Sequence, residues 1–75
     1  MQTIDFNSYV GNYNFTLNPT QYTFLNSPIT LNNIFTFTAE GSYEDNSMLQ
    51  TITIADSPAV YTRQWVNGTF GTWQS

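Results

Sequence analysis

The sequence predicts an all-β domain, a small antiparallel knob of about five or six short strands. Three observations carry that prediction. Thr, Tyr and Phe, which favour strands, are abundant, with aromatic residues at 17%, whereas Ala, Leu, Glu, Lys and Arg, the strong helix formers, are scarce. Short runs of alternating polarity recur between turn residues. Near the C-terminus, Asn67-Gly68 stands between two such runs, which is the strongest short-range hairpin signal.

Taken in order, NYNFT (Asn12 to Thr16) follows Gly11, and QYTFL (Gln21 to Leu25) follows the Asn18-Pro19 turn signal. Asn26-Ser27-Pro28 breaks the chain. In NIFTFTA (Asn33 to Ala39), Phe35, Phe37 and Ala39 share one face, and Ile34, Thr36 and Thr38 share the other. The first face is expected to be core. Residues Glu40 to Ser47 are the most polar stretch, hold three of the five acids, and predict a loop or hairpin tip. MLQTITI (Met48 to Ile54) forms the next strand, with Gln50, Ile52 and Ile54 on one side, and Asp56-Ser57-Pro58 ends it.

The last hairpin, Val60 to Trp73, can be registered residue by residue. A two-residue type I′ turn needs positive φ at both central positions, which Asn and Gly tolerate. Val66 then opposes Thr69, Trp65 opposes Phe70, Arg63 opposes Thr72, and Thr62 opposes Trp73. Tyr61, Arg63, Trp65 and Phe70 fall on one face, with Val60, Val66 and Trp73 on the other.

Seventy-five residues make one domain, 1–75, with a small core for its surface. Chains of this size gain stability from disulfides, a metal, or association with copies of themselves. Cysteine and histidine are both absent, so disulfides and the usual zinc ligands are excluded and self-association is expected. The net charge is −4, from Asp5, Glu40, Glu44, Asp45 and Asp56 against Arg63 alone. One cation cannot drive binding to nucleic acid or to an anionic membrane surface. No apolar run is long enough to span a bilayer, and no secretion signal pattern stands at Met1.

Three groups of residues are candidates for function. Tyr61, Arg63 and Trp65 suit a carbohydrate platform, in which rings stack on sugars while the guanidinium bonds hydroxyls; the competing reading is an arginine laid across aromatic faces to hold the fold. The polar loop with Tyr43, Glu44, Asp45 and Asn46 suits recognition through Tyr43, or a hard cation held by its oxygens, although its spacing matches no EF-hand. Glu44 and Asp45 are also the one candidate pair of carboxylates for glycoside hydrolysis. With no base or nucleophile beyond carboxylates, no phosphate loop and little room for a cleft, a binding module is expected and an enzyme is not, and no cofactor is implied.

The end VYTRQWVNGTFGTW, Val60 to Trp73, resembles the closing motif of pyocin-knob-like modules from tail fibres of phages and R-type pyocins, approximately V-Y-x-R-x-x-x-N-G-T-[WF]-x-x-W. DFNSY (Asp5 to Tyr9) and GNYNF (Gly11 to Phe15) resemble the family's opening, an Asp-x-Asn stretch followed by Gly-x-Tyr. Residues Pro28 to Ser57 match no family pattern, and Phe70 stands where the family more often has Trp. The resemblance implies a β-rich knob in a homotrimeric fibre on the exterior of a virion, outside the cell, bound to other virion tail or capsid proteins and touching host cell-surface polysaccharide. Tyr61, Arg63, Asn67, Gly68 and Trp73 would then be framework residues. The alternative is a structural virion protein, a capsid decoration protein or fibre connector with no host ligand. A recognition module should expose Tyr or Trp near loop tips, whereas a cement protein should bury them against partners.

Overall fold

The structure, a computed structural model, describes residues 2–42, 44 and 46–75. Its strands are β1 (Gln2–Asp5), β2 (Tyr13–Leu17), β3 (Tyr22–Leu25), β4 (Phe35–Ser42), β5 (Ser47–Ile54), β6 (Val60–Val66) and β7 (Thr69–Phe70). Five of them form an antiparallel sheet in the order β2-β4-β5-β6-β7, and β1 pairs with β3 in a separate two-stranded sheet. The all-β expectation holds.

Two features depart from it. The pair β1-β3 is parallel, with Ile4 beside Phe24, so the architecture is not wholly antiparallel. Strand β1 adds a seventh strand that the sequence does not signal, because Gln2–Asp5 is too short to show a period. Parallel pairing follows from the connection: the chain leaves β1, crosses into the large sheet as β2, and returns in the same direction as β3. Two single-turn helical segments steer this path. At Phe6–Ser8 the Asp5 carboxylate caps the turn by accepting the Asn7 N–H at 2.9 Å. At Pro19–Gln21 the Asn18 side chain accepts the Thr20 N–H, and proline takes the first turn, where a missing N–H is harmless.

The inner face of the large sheet carries the core. Phe35, Phe37 and Ala39 of β4 are buried, as the alternation predicts, and so are Met48, Gln50 and Ile52 of β5 and Arg63 and Trp65 of β6. The N-terminal segment closes over this face. Phe6 lies against Phe37 at 5.1 Å and Phe24 at 5.8 Å between ring centroids, and Phe24 meets Phe35 edge-on at 5.3 Å. Such offset and edge contacts contribute about 0.5–1.5 kcal/mol each beyond the area they bury.

Strand β4 runs on to Ser42 and β5 begins at Ser47, so the polar stretch shrinks to the connection 43–46. Gly41 makes this ending possible. Its φ is +143°, and a Cβ there would run into the Ser47 carbonyl and the Met48 Cα. The Asn12 side chain donates to the Gly41 carbonyl at 3.1 Å and accepts its N–H at 3.4 Å, prolonging the β2-β4 ladder by one polar residue.

Candidate functional site

The β6-β7 hairpin turns as its sequence requires, with φ of 52° at Asn67 and 88° at Gly68, and Trp65 opposes Phe70 while Val66 opposes Thr69. Beyond Phe70 the expected register fails. Gly71 donates to the Gln64 carbonyl at 2.7 Å, yet Thr62 exchanges both backbone bonds with Gln74 at 2.8 and 2.6 Å. Three steps on one strand thus match two on the other, the count of a β-bulge. The extra residue turns Trp73 onto the inner face, beside Arg63, instead of the outer face with Val60 and Val66.

Arg63 is therefore the centre of a buried polar cluster. Its Nε donates to Gln50 Oε1 at 2.6 Å, and its terminal nitrogen donates to Asn7 Oδ1 at 2.8 Å. The guanidinium carbon lies 3.9 Å from the centre of the Phe70 ring and 4.7 Å from that of Trp73. Gln50, with no exposed surface, spends its amide hydrogens on the carbonyls of Phe6 at 2.7 Å and Tyr9 at 3.2 Å. Trp73 Nε1 donates to the Asn26 carbonyl at 2.8 Å, and the Asn26 side chain donates to Asp5 at 2.8 Å. Among the described residues, no buried side-chain nitrogen or oxygen lacks a partner.

The charges here are tuned by those contacts. The Asn26 amide and the Asn7 N–H hold the Asp5 carboxyl below the usual carboxylate range, against an opposing effect of burial and with the least contribution from the charge of Arg63. Burial pulls the Arg63 guanidinium below its ordinary value, and Asp5 resists that shift. A guanidinium still keeps its proton, so the cluster holds one cation with one nearby carboxylate.

Of the two readings of Tyr61, Arg63 and Trp65, a sugar platform and an arginine held across aromatic faces, the burial of these side chains fits the second. Arg63 is 6% exposed and Trp65 8%, and Tyr61 is half-buried against the same core. The alternation places all three inward, so the arginine is laid across aromatic faces as a fold element. Glu44 is exposed in the connection 43–46, whereas Tyr43 and Asp45 lie outside the described residues. The Asn46 carbonyl, at a residue with φ of 51°, accepts the Asn67 N–H at 3.0 Å, so Asn46 and the 67–68 turn sit together at one end of the sheet. Tyr13 pairs with Ala39 three residues before the end of β4, packs edge-on against Tyr9 at 5.1 Å between ring centroids, and is the one exposed aromatic among the described residues, at 42%.

Sequence reading missed Asp5, Asn7, Asn26 and Gln50 as members of this cluster. A glutamine at an inward position between Met48 and Ile52 was the available signal, since a buried amide needs partners. No protein-family model, no curated protein and no solved structure matches the chain.

Proposed function

We propose that this chain is a knob-like module of a phage-type tail fibre, assembled as a homotrimer, which attaches to host cell-surface polysaccharide. The observation that carries the reading is the bonding of the two segments that resemble the family. From the opening, Asn7 accepts directly from Arg63 of the closing motif, Asp5 is linked to Trp73 through Asn26, and Gln50 joins Arg63 to the carbonyls of Phe6 and Tyr9. Arg63 and Trp73 join in one cluster, and Asn67 and Gly68 make the turn that positions it. A motif that recurs because it specifies a fold is expected to place its residues in this way.

Recognition in this reading falls to the end of the sheet that holds Glu44, Asn46 and the 67–68 turn, with Tyr13 further along β2. The half-exposed Tyr13 ring, packed edge-on against Tyr9, is the aromatic surface available for such contact. Tyrosine gives large contact area at small entropic cost and suits stacking on a sugar ring. The net charge of −4 disfavours strongly anionic polymers and points to neutral glycans. Three such sites on one rigid assembly bind together by avidity, so each can be weak.

The test is a native mass by light scattering at several concentrations, followed on the same sample by a glycan and envelope binding screen. A trimer retained by cells or by polysaccharide supports the reading. A monomer that binds no host material overturns it and leaves the virion structural role, with capsid and tail proteins as partners.

A further inference from the structure

Among the described residues, none on the outer face of the large sheet is buried, and the composition of that face is unusual. Cross-strand register lines up Asn14, Thr38, Thr51 and Thr62 in one row across β2, β4, β5 and β6. The next row is Thr16, Thr36, Thr53 and Val60, and on the other side runs Glu40, Leu49 and Gln64. Thr16 and Thr36 join their hydroxyls at 2.9 Å. Three of the exposed aliphatic side chains, Leu49, Val60 and Val66, project from this same face. Glu40 is the one charged residue in these rows.

We propose that this threonine and aliphatic face is the surface through which copies of the chain meet. The inference rests on the trimeric reading above and names the surface it uses. Two properties favour an identical partner. Each copy carries a net charge of −4, so copies repel unless they meet where carboxylates are sparse, and these rows hold one of the five. A threonine hydroxyl both donates and accepts, so an array of them is complementary to itself in a way that a lysine or carboxylate surface is not. Its methyl groups and the three aliphatic side chains supply apolar area between the hydroxyls.

The size of the face sets the strength of the contact. Four strands about 4.8 Å apart and about seven residues long, at about 3.4 Å per residue, give a footprint on the order of 400 Å². A standard stable interface buries about 800 Å² on each partner, so association through this face is expected to be reversible and to weaken on dilution.

The test is sedimentation velocity over a wide dilution series on the wild-type chain and on three lysine variants, with circular dichroism to establish that each is folded. Thr51→Lys and Thr53→Lys place a cation in the middle of the face, and Thr20→Lys makes the same charge change in the Pro19–Gln21 turn away from it. The wild type and Thr20→Lys are expected to assemble at high concentration. The two face variants should stay monomeric there, a weakening of at least about tenfold, because a lysine stripped of water at a contact is costly. Thr53 is exposed, so Thr53→Lys decides the matter if Thr51→Lys fails to fold. Folded face variants that assemble like the wild type overturn this surface while leaving the trimer intact. A wild type that is monomeric throughout overturns both.

Discussion

Replacing Arg63 by methionine keeps much of the side-chain volume and removes the guanidinium from the centre of the buried cluster. Two charge-assisted hydrogen bonds go, to Gln50 at 2.6 Å and to Asn7 at 2.8 Å. Asn7 is exposed and can turn to water, but Gln50 has no exposed surface, so its Oε1 is left buried without a donor. An orphaned buried acceptor costs about 1–3 kcal/mol. The lost stacking on Phe70 at 3.9 Å and Trp73 at 4.7 Å adds about 0.5–2 kcal/mol. Burial of the methionine offsets part of this, which leaves a net loss of about 2–4 kcal/mol. A chain of this length has a total stability of about 4–11 kcal/mol, so the variant forfeits a large share of it. Urea unfolding followed by tryptophan fluorescence reads the change, since Trp65 and Trp73 both lie by the site, and the midpoint should fall with the slope unchanged. Arg63→Lys should recover only part of the loss, because an ammonium keeps the charge but not the planar fork that serves Gln50 and Asn7 together. A loss below about 1 kcal/mol in the methionine variant, or a lysine variant as stable as the wild type, would refute the reasoning.

Three further predictions concern single positions. Gly41→Ala should destabilise more than Gly68→Ala: an added Cβ at Gly41 strikes the β5 backbone, whereas at Gly68 it meets open space and only the positive φ is strained, at about 1–2 kcal/mol. Paired thermal melts check that order, and equal losses would contradict it. The Asp5 carboxyl is held below the usual range when folded, so its contribution is fully present above the unfolded value of about 3.9 and is lost as pH falls through the lower folded value. Melting temperature in the acid range should therefore drop more steeply for the wild type than for Asp5→Asn. Trp73→Phe keeps a ring over Arg63 but loses the indole N–H bond to the Asn26 carbonyl, for an expected cost of about 1 kcal/mol in urea unfolding.

The parts of the fold governed by local rules were legible in the sequence. The alternation in Phe35, Phe37 and Ala39 identified the core face of β4, and Asn67-Gly68 fixed the turn and the first two pairs of the last hairpin. What failed depends on distant residues. The bulge after Phe70 has no strong local signature, yet it decides which face Trp73 takes, and through Trp73 what surrounds Arg63. The contacts of Asn7 and Gln50 with Arg63 span 56 and 13 residues of chain, and periodicity carries no information across such separations. The same rule that marked Tyr61, Arg63 and Trp65 as sharing a face could not say whether that face looked to solvent or to core. The pairing of β1 with β3 is likewise set by how the chain returns to close the core over Phe6, and by nothing within QTID itself.

The central claim is attachment to host polysaccharide, and the most direct test compares retention of the labelled chain on bacterial cells before and after periodate oxidation of their surface sugars. The account predicts retention on cells of a susceptible host that is lost once the sugars are oxidised. Retention that survives oxidation, or none on any envelope tried, would contradict it.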